Sequence, residues 1–327
     1  MSDTLLDIRD LKVHFPVRIG GGIFGRTAPL KAVDGVSFTL QAGETLGVVG
    51  ESGCGKSTLG RAILQLTPVS AGHVVWLGRD LTEAKKSEIR ACRQELQVVF
   101  QDPLASLDPR MTAGAIIAEP LVNFFPELPA DQVKAKVAAM MEKVGLLPTM
   151  INRYPHEFSG GQCQRIGIAR AMILNPKLVI CDEPVSALDV SIRAQVINLL
   201  MDLQRDFGLS MIFISHDLAV VRHISHRVMV LYLGKVMELA SRDALYATPR
   251  HPYTQALLAS VPIPDPDRER AKQRIILTGD PPSPLYPPSG CVFRTRCWKA
   301  TDTCAATAPP LESAGAHQHV ACHHWRA

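Results

Sequence analysis

The sequence predicts an α/β fold in which helices cover a mainly parallel β-sheet. Short apolar runs rich in β-branched residues, at 45–49, 96–100, 178–183 and 210–215, are too short for helices and are typical of buried strands. Amphipathic segments at 131–144 and 191–207 predict helices between these strands. Further runs at 5–15, 31–40 and 72–77 predict additional strands, and the predicted fold includes an antiparallel β subdomain.

Length and composition place the chain in a broad class. The 327 residues are enough for one large or two modest domains, and 46% apolar with 20% charged residues is ordinary for a globular protein. A net charge of +4 is too small to indicate a nucleic-acid partner. No apolar run approaches the roughly 18 residues of a membrane span, and no basic leader with an apolar core is present, so we expect a cytosolic protein.

Residues 50–58 fit the G-x-x-x-x-G-K-[ST] phosphate-binding pattern at every fixed position. The apolar run 45–49 precedes them and a predicted helix at 59–66 follows, which is the context that the pattern requires. Glycines let successive backbone N–H groups point into one concave nest, Lys56 adds a positive charge, and the Ser57 hydroxyl can ligate Mg²⁺. The residues predicted to contact the nucleotide here are Gly50, Ser52, Gly53, Cys54, Gly55, Lys56, Ser57 and Thr58.

Polar residues at the ends of other predicted strands suggest a metal and a catalytic base. Asp182 can hold the hydration shell of Mg²⁺, and Glu183 is then placed to polarise an attacking water. The alternative is that both are solvated acids in the turn before Pro184. Gln101 ends the strand 96–100 and can coordinate Mg²⁺ or hold water, and His216 follows the strand 210–215, although a histidine there is often only structural.

Other stretches lead to less specific expectations. Residues 158–162 precede a predicted helix at 164–174 and form a second possible anion site at a helix N-terminus. Residues 113–147 predict a helical insertion of proline-punctuated turns and one helix, 131–144, and residues 20–25 predict a glycine-rich loop. Phe15 is either a core residue or an aromatic ring that stacks on a nucleotide base.

Taken in order, these stretches resemble the motif set of ABC-type ATPases over residues 5–245. Residues 50–58 match Walker A, Gln101 the Q-loop, 159–162 the signature, 178–183 Walker B, 186–189 the D-loop and His216 the H-loop. The resemblance implies a P-loop fold of ABC type and a head-to-tail dimer with ATP at the interface. It also implies that Phe15 stacks on adenine and that His216 senses the γ-phosphate. Further ATP contacts implied by the resemblance are Ser159, Gly160, Gly161 and Gln162, which would face the partner's nucleotide, and Asp189.

Two positions depart from the family pattern. Cys163 stands where a basic residue is common after the signature, which puts any contact of that charge in doubt, although Arg165 remains. Phe158 stands where Leu is more usual, and we expect this apolar exchange to be tolerated.

Residues 249–258 (PRHPYTQALL), with the motifs above, narrow the resemblance to ATPase subunits of bacterial dipeptide and oligopeptide importers. This implies a sibling ATPase subunit, two membrane-spanning permease subunits, an extracytoplasmic peptide-binding protein and a place at the cytoplasmic face of the inner membrane. Importers of nickel or metal chelates share the architecture and remain an alternative. A soluble ABC ATPase without a transport role, or a nucleotide-gated regulatory subunit, is the alternative of another class.

Four cysteines cluster in the tail. We assign residues 1–245 to the nucleotide-binding domain, with a helical insertion at about 102–175, and 246–327 to a C-terminal extension that includes a stiff proline-rich stretch at 281–288. Cys291, Cys297, Cys304 and Cys322 are separated by 5, 6 and 17 residues. Thiols in a short segment without an obvious core indicate metal ligation, and the resemblance implies a [4Fe–4S] cluster; zinc and unligated thiols are the alternatives. The other cysteines, expected to be buried small residues, are Cys54, Cys92, Cys163 and Cys181.

Overall fold

A computed structural model describes residues 4–19, 26–262, 265–272 and 275–326. The predicted glycine-rich loop at 20–25 therefore lies outside the described residues. The predicted strands and helices lie within them and can be compared with the structure. Within the described ranges, no helix is both long enough and apolar enough to cross a membrane.

The strands, in chain order, are β1 (Thr4–Ile19), β2 (Arg26–Gln41), β3 (Thr45–Val49), β4 (Ala71–Trp76), β5 (Arg79–Asp80), β6 (Leu96–Val99), β7 (Leu178–Asp182), β8 (Ser210–Ile214), β9 (Arg227–Tyr232), β10 (Lys235–Ser241), β11 (Glu312–Gly315) and β12 (Gln318–Val320). The α-helices are α1 (Lys56–Ile63), α2 (Lys86–Cys92), α3 (Ala113–Phe124), α4 (Ala130–Lys143), α5 (Gly160–Met172), α6 (Val190–Phe207), α7 (Leu218–Ile224), α8 (Arg242–Ala247), α9 (Pro252–Ser260), α10 (Pro266–Ala271) and α11 (Asp302–Ala306). Short 3₁₀ turns lie at Pro148–Met150, Pro155–Glu157 and Arg294–Arg296.

The chain divides into two structural units, and the first contains residues 41–45 and 84–214. Strands β6, β7 and β8 pair in parallel in this unit, with Val98 opposite Ile180 and Ile180 opposite Ile212. Every residue of β7 and β8 is buried, which is the burial pattern of strands covered on both faces. Helix α6 is preceded by the cap residue Asp189 and followed by Gly208, whose φ of 61° provides the left-handed turn that commonly terminates a helix.

The second unit contains residues 4–40, 46–83 and 215–326 and holds two groups of strands. Strands β2, β1, β4 and β5 follow one another in one sheet, in which β4 pairs antiparallel with both β1 and β5. In the other group, β3 pairs in parallel with β9, and β9, β10, β12 and β11 continue in antiparallel order. The tail strand β12 is therefore hydrogen-bonded to β10, the last strand before the extension. Ala314, Val320, Cys322 and Trp325 pack together in this tail, which contradicts the expectation that the segment lacks a core of its own.

The structure corrects several predicted boundaries. Helix α1 begins at Lys56 and α5 at Gly160, three and four residues before the predicted starts at 59 and 164, because both phosphate-binding motifs include the first turn of the helix. The strand 178–183 ends at Asp182. The insertion contains an additional helix, α3, although Pro120 lies inside it. Burial of Ile116, Ile117 and Leu121 on α3 offsets the backbone hydrogen bond that proline cannot donate.

Candidate functional site

The phosphate loop lies between the end of β3 and the start of α1. The φ angles are 153° at Gly50, 77° at Gly53 and 106° at Gly55, values that residues with a Cβ rarely adopt. Gly55 is also the N-cap of α1, and a Cβ there would collide with the carbonyl oxygen of Ala32. The loop therefore depends on backbone conformations that only glycine adopts readily. The first backbone N–H groups of α1, which have no partner within the helix, lie next to the loop.

Lys56 is the most constrained side chain of this loop. It is only 5% exposed, and its ammonium donates to the carbonyl oxygens of Gly50 at 2.8 Å and Glu51 at 3.0 Å. The Cys54 sulfur lies 3.8 Å from the same nitrogen. The ammonium is thus held against the inner side of the loop, where its charge favours an anion at the nest.

The outer side of the loop adjoins a cavity of about 250 Å³. Its walls are residues 51–54 of the loop, Tyr232 and Leu233 at the end of β9, and residues 281–284 of the proline-rich stretch. The backbone N–H of Lys31 donates to the carbonyl of Pro284 at 3.3 Å, which anchors this stretch beside β2. The extension therefore reaches the phosphate loop within the second unit.

The predicted carboxylates lie in the first unit. Asp182 is the last residue of β7 and is 5% exposed, whereas Glu183 is half-buried just beyond the strand. Glu183 has a φ of 47°, an unusual value for a residue other than glycine, and its N–H donates to the carbonyl of Ile214 at 3.0 Å. Such backbone conformations cost free energy and concentrate at functional sites. The side-chain amide of Gln101 donates to the Glu183 carboxylate at 3.3 Å, so these two predicted site residues are in contact.

The signature residues form the first turn of α5. Ser159 Oγ accepts from the Gln162 N–H at 3.3 Å, and Gln162 Oε1 accepts from the Ser159 N–H at 2.9 Å, which is a reciprocal capping box. Ser159 and Gly160 are exposed, while Gly161 is buried against Ile192 of α6, where a Cβ would collide. The N-terminus of α5 is therefore capped by its own side chains and exposed at the surface.

One of the two departures from the family pattern, Cys163, has a structural explanation. Cys163 is fully buried, its sulfur lies 3.4 Å from the Pro155 carbonyl oxygen, and burial raises its pKa. Arg165 donates to the carbonyl of Val144 at 2.6 Å and to Gln195 at 3.1 Å. The positive charge next to the signature is thus used to tie α5 to its neighbours in the first unit.

The remaining predicted site residues occupy three different settings. His216 is exposed after β8, and the next residue, Asp217, caps α7 by accepting from the N–H groups of Ala219 and Val220. Asp189 caps α6, and the Ile192 N–H lowers its pKa by donating to the carboxylate. Phe15 is 38% exposed on β1, so it is not a core residue.

Sequence reasoning did not single out the buried acid that joins the extension to β10. Glu238 is completely buried and accepts from the backbone N–H groups of Arg250 and His251, at 3.0 and 2.9 Å, and from the Gln318 amide at 2.7 Å. His251 caps α9 through its Nδ1, and burial lowers its pKa to about 3, so it is neutral at physiological pH. An acidic residue within the apolar strand pattern of β10 is the only signal in the sequence that points to this position.

All four tail cysteines are described, and three of them, Cys291, Cys304 and Cys322, are buried. Burial, and then the charges of the other three thiols, raise the pKa of Cys291 to about 11. The pKa values of Cys297 and Cys322 are raised for the same two reasons. The His324 N–H donates to the Cys322 sulfur at 3.3 Å, and the Cys291 N–H donates to the Cys304 carbonyl at 2.8 Å.

Among the described residues, a group of three potential ligand atoms that all lie within 4.8 Å of one another occurs at His73, Asp80 and Glu83 near the β4–β5 turn, and no such group of three or more occurs among the tail thiols. Of the other cysteines, Cys54, Cys163 and Cys181 are buried as expected. Cys92 is only half-buried, because it ends the short helix α2, none of whose residues is buried.

Comparison with known proteins places the chain in a family. Residues 33–186 match the family model described as ABC transporter, and residues 237–304 match the one described as oligopeptide/dipeptide transporter, C-terminal region. The chain is 62% identical over 320 residues to the oligopeptide transport ATP-binding protein OppF of Escherichia coli, covering 98% of this chain and 96% of the relative. It is 53% identical over 324 residues to the oligopeptide transport ATP-binding protein AppF of Bacillus subtilis, covering 98% of each.

Solved structures support the fold independently. A dimeric ATP-binding cassette in a post-hydrolysis state, bound to ADP and phosphate, matches with a TM-score of 0.65 at 24% identity, over 73% of this chain and 99% of that chain. At this identity the match establishes the ABC ATPase fold, and the predicted α/β class with parallel strands is confirmed. Together with the full-length similarity to the curated relatives, it shows that the chain belongs to the ATP-binding proteins of the oligopeptide branch of the ABC transporter family.

Proposed function

We propose that this chain is the ATPase subunit of an ABC importer and that it hydrolyses MgATP to drive the uptake of di- and oligopeptides through partner permeases. The observation that carries the proposal is the 62% identity to an oligopeptide transport ATP-binding protein over 98% of this chain, extension included. The intact phosphate loop and the buried Asp182 support ATP hydrolysis rather than a purely regulatory role.

We assign the roles at the ATP site as follows. Lys56 and the loop amides stabilise phosphate charge, Glu183 acts as the general base, and His216 senses the γ-phosphate. Ser57, Gln101 and Asp182 organise Mg²⁺, and Phe15 stacks on adenine. The exposure of Phe15 and the contact between Gln101 and Glu183 support this assignment.

The exposed N-terminus of α5 and the names of the relatives support the partners that we propose. The exposed N-terminus of α5 is suited to the γ-phosphate of ATP held by a second, sibling ATPase subunit. Two permease subunits and an extracytoplasmic peptide-binding protein complete the complex, which places this chain peripherally at the cytoplasmic face of the membrane. Because each ATP would then be held between two subunits, the isolated chain has only half of each catalytic site.

An assembly series tests this proposal. We expect the isolated chain to bind ATP but to turn it over at least about tenfold more slowly than the complex with its sibling subunit, permeases and peptide-loaded binding protein. Turnover by the isolated chain at the full rate of the complex would contradict the shared site. Stimulation of the complex by nickel or a metal chelate, and not by peptides, would contradict the proposed cargo, and a chain that gains nothing from permeases would contradict a transport role.

We also propose that Cys291, Cys297, Cys304 and Cys322 hold a [4Fe–4S] cluster. The burial of Cys291, Cys304 and Cys322 and the N–H donor to the Cys322 sulfur fit thiolate ligands of such a cluster. A cluster of four irons spans more space than one ion, so its ligand sulfurs need not lie within 4.8 Å of one another. When bound, the cluster would supply metal–sulfur bonds that hold the tail together, and the raised thiol pKa values would be overcome by metal binding.

Metal analysis of a single-cysteine variant tests this assignment. We expect anaerobically purified chain to contain about four irons with matching sulfide, and Cys304→Ser to lose most of both. Cys92→Ser, which changes a half-buried thiol outside the tail, is the matched control and should keep them. Stoichiometric zinc, or no metal in the anaerobically prepared wild-type chain, would contradict the cluster.

A further inference from the structure

Glu51, the second residue of the phosphate loop, is held by two side chains of the C-terminal extension. Its backbone N–H donates to the hydroxyl oxygen of Tyr253 at 2.9 Å. Its carboxylate accepts from the guanidinium of Arg296 at 2.7 Å. Since Lys56 donates to its carbonyl at 3.0 Å, every polar group of Glu51 has a partner outside the local backbone turn.

Both side chains are themselves held firmly. Tyr253 is completely buried, and its ring lies 4.8 Å from that of Tyr232 and 5.2 Å from that of Phe293, measured between centroids. The Arg296 side chain is 8% exposed and lies in the 3₁₀ turn Arg294–Arg296, whose last N–H donates to the Phe293 carbonyl at 3.0 Å. A charge-assisted hydrogen bond from a buried guanidinium is short, directional and costly to break.

The next two loop residues are more exposed than Tyr253 and Arg296. Ser52 and Gly53 are exposed, and the φ of Gly53 requires a backbone conformation that glycine can leave at little cost. A nest of N–H groups binds phosphate well only when it is already in the binding conformation, because otherwise part of the binding energy is used to order the loop. Fixing Glu51 at the start of the loop reduces that ordering cost.

We propose that Arg296 and Tyr253 are positioning residues, which act through Glu51 to hold the phosphate loop in its nucleotide-binding conformation. The inference rests on the proposed function, since it assumes that the loop binds ATP. It makes two side chains of the extension, Tyr253 and Arg296, part of the support of the nucleotide site. A preorganised loop stabilises bound ATP and the transition state to the same extent. Loss of this preorganisation should therefore raise KM more than it lowers kcat.

A double-mutant cycle tests the proposal. We measure the ATP dissociation constant of the full chain, and KM and kcat of the assembled complex, for Arg296→Ala, Glu51→Gln and the double variant. We expect Arg296→Ala to weaken ATP binding about tenfold, the double variant to be no weaker than the worse single one, and Arg296→Lys to recover part of the loss. Arg294→Ala is the matched control, because Arg294 lies in the same turn but donates to Ser289, and it should bind ATP as the wild type does.

Tyr253→Phe provides a second test that does not depend on the folding of the arginine variants, since it removes only the hydroxyl and keeps the ring packing. We expect a several-fold rise in KM with kcat nearly unchanged and with an unaltered unfolding midpoint. Wild-type affinity in both Arg296→Ala and Tyr253→Phe, or additive effects of Arg296→Ala and Glu51→Gln, would overturn the inference. A wild-type chain that does not bind ATP at all would instead refute the proposed function.

Discussion

Glu183→Gln is expected to retain ATP binding and to lose nearly all turnover, by about 10²- to 10⁴-fold, in the assembled complex. The amide occupies the same volume and can still bond with Gln101, but it cannot accept a proton from the attacking water. ATP would then remain intact at the interface, so we also expect closed dimers to accumulate. Turnover measured by phosphate release, with dimerisation followed by size-exclusion chromatography in the presence of MgATP, checks both results.

The control for this variant is Glu95→Gln. Glu95 pairs with Lys177 at the surface of the same unit, just before β6, and has no assigned role in the site. We expect it to hydrolyse ATP at the wild-type rate, which separates the loss of a particular base from the general effect of removing a carboxylate. Wild-type turnover by Glu183→Gln would reject Glu183 as the base.

Lys56→Ala is expected to weaken ATP binding by about ten- to a hundredfold, the range expected when a hydrogen-bonding charged group is removed. Two effects add in this variant. The site loses a positive charge beside the phosphates, and the loop loses the ammonium that joins the carbonyls of Gly50 and Glu51. Equilibrium binding of a fluorescent ATP analogue to the full chain measures the change.

Lys56→Arg separates the two effects of Lys56→Ala, because it keeps the charge but cannot fit its planar fork into the buried position of the ammonium. We expect an intermediate loss of affinity. Unfolding midpoints of both variants establish that the fold is retained. Unchanged ATP affinity in Lys56→Ala would contradict the role assigned to this residue.

Local patterns were sufficient to locate most of the strands that carry the site. The strands β3, β7 and β8 were placed within a residue, because a short apolar run that ends at glycine or a polar residue has few alternatives. Helix α3 was missed because the stabilisation of its buried face by neighbouring helices is a tertiary effect, which overrides the local signal of Pro120. The starts of α1 and α5 were placed too late, because glycines at 55, 160 and 161 suggest a loop unless the helix cap is recognised.

The sequence predicts which residues of the phosphate loop bind phosphate, but it does not predict the distant contacts that hold the loop. Its spacing identifies the residues that bind phosphate, since a nest of N–H groups is a local property of glycines, a lysine and one helix turn. Nothing in that spacing predicts that Glu51 is held by Arg296, which lies 245 residues further along the chain. That contact depends on the aromatic cluster of Tyr232, Tyr253 and Phe293, which packs the extension against β9. Local backbone chemistry can be read directly from residue order, whereas contacts between distant segments arise only when burial of their apolar side chains brings those segments together.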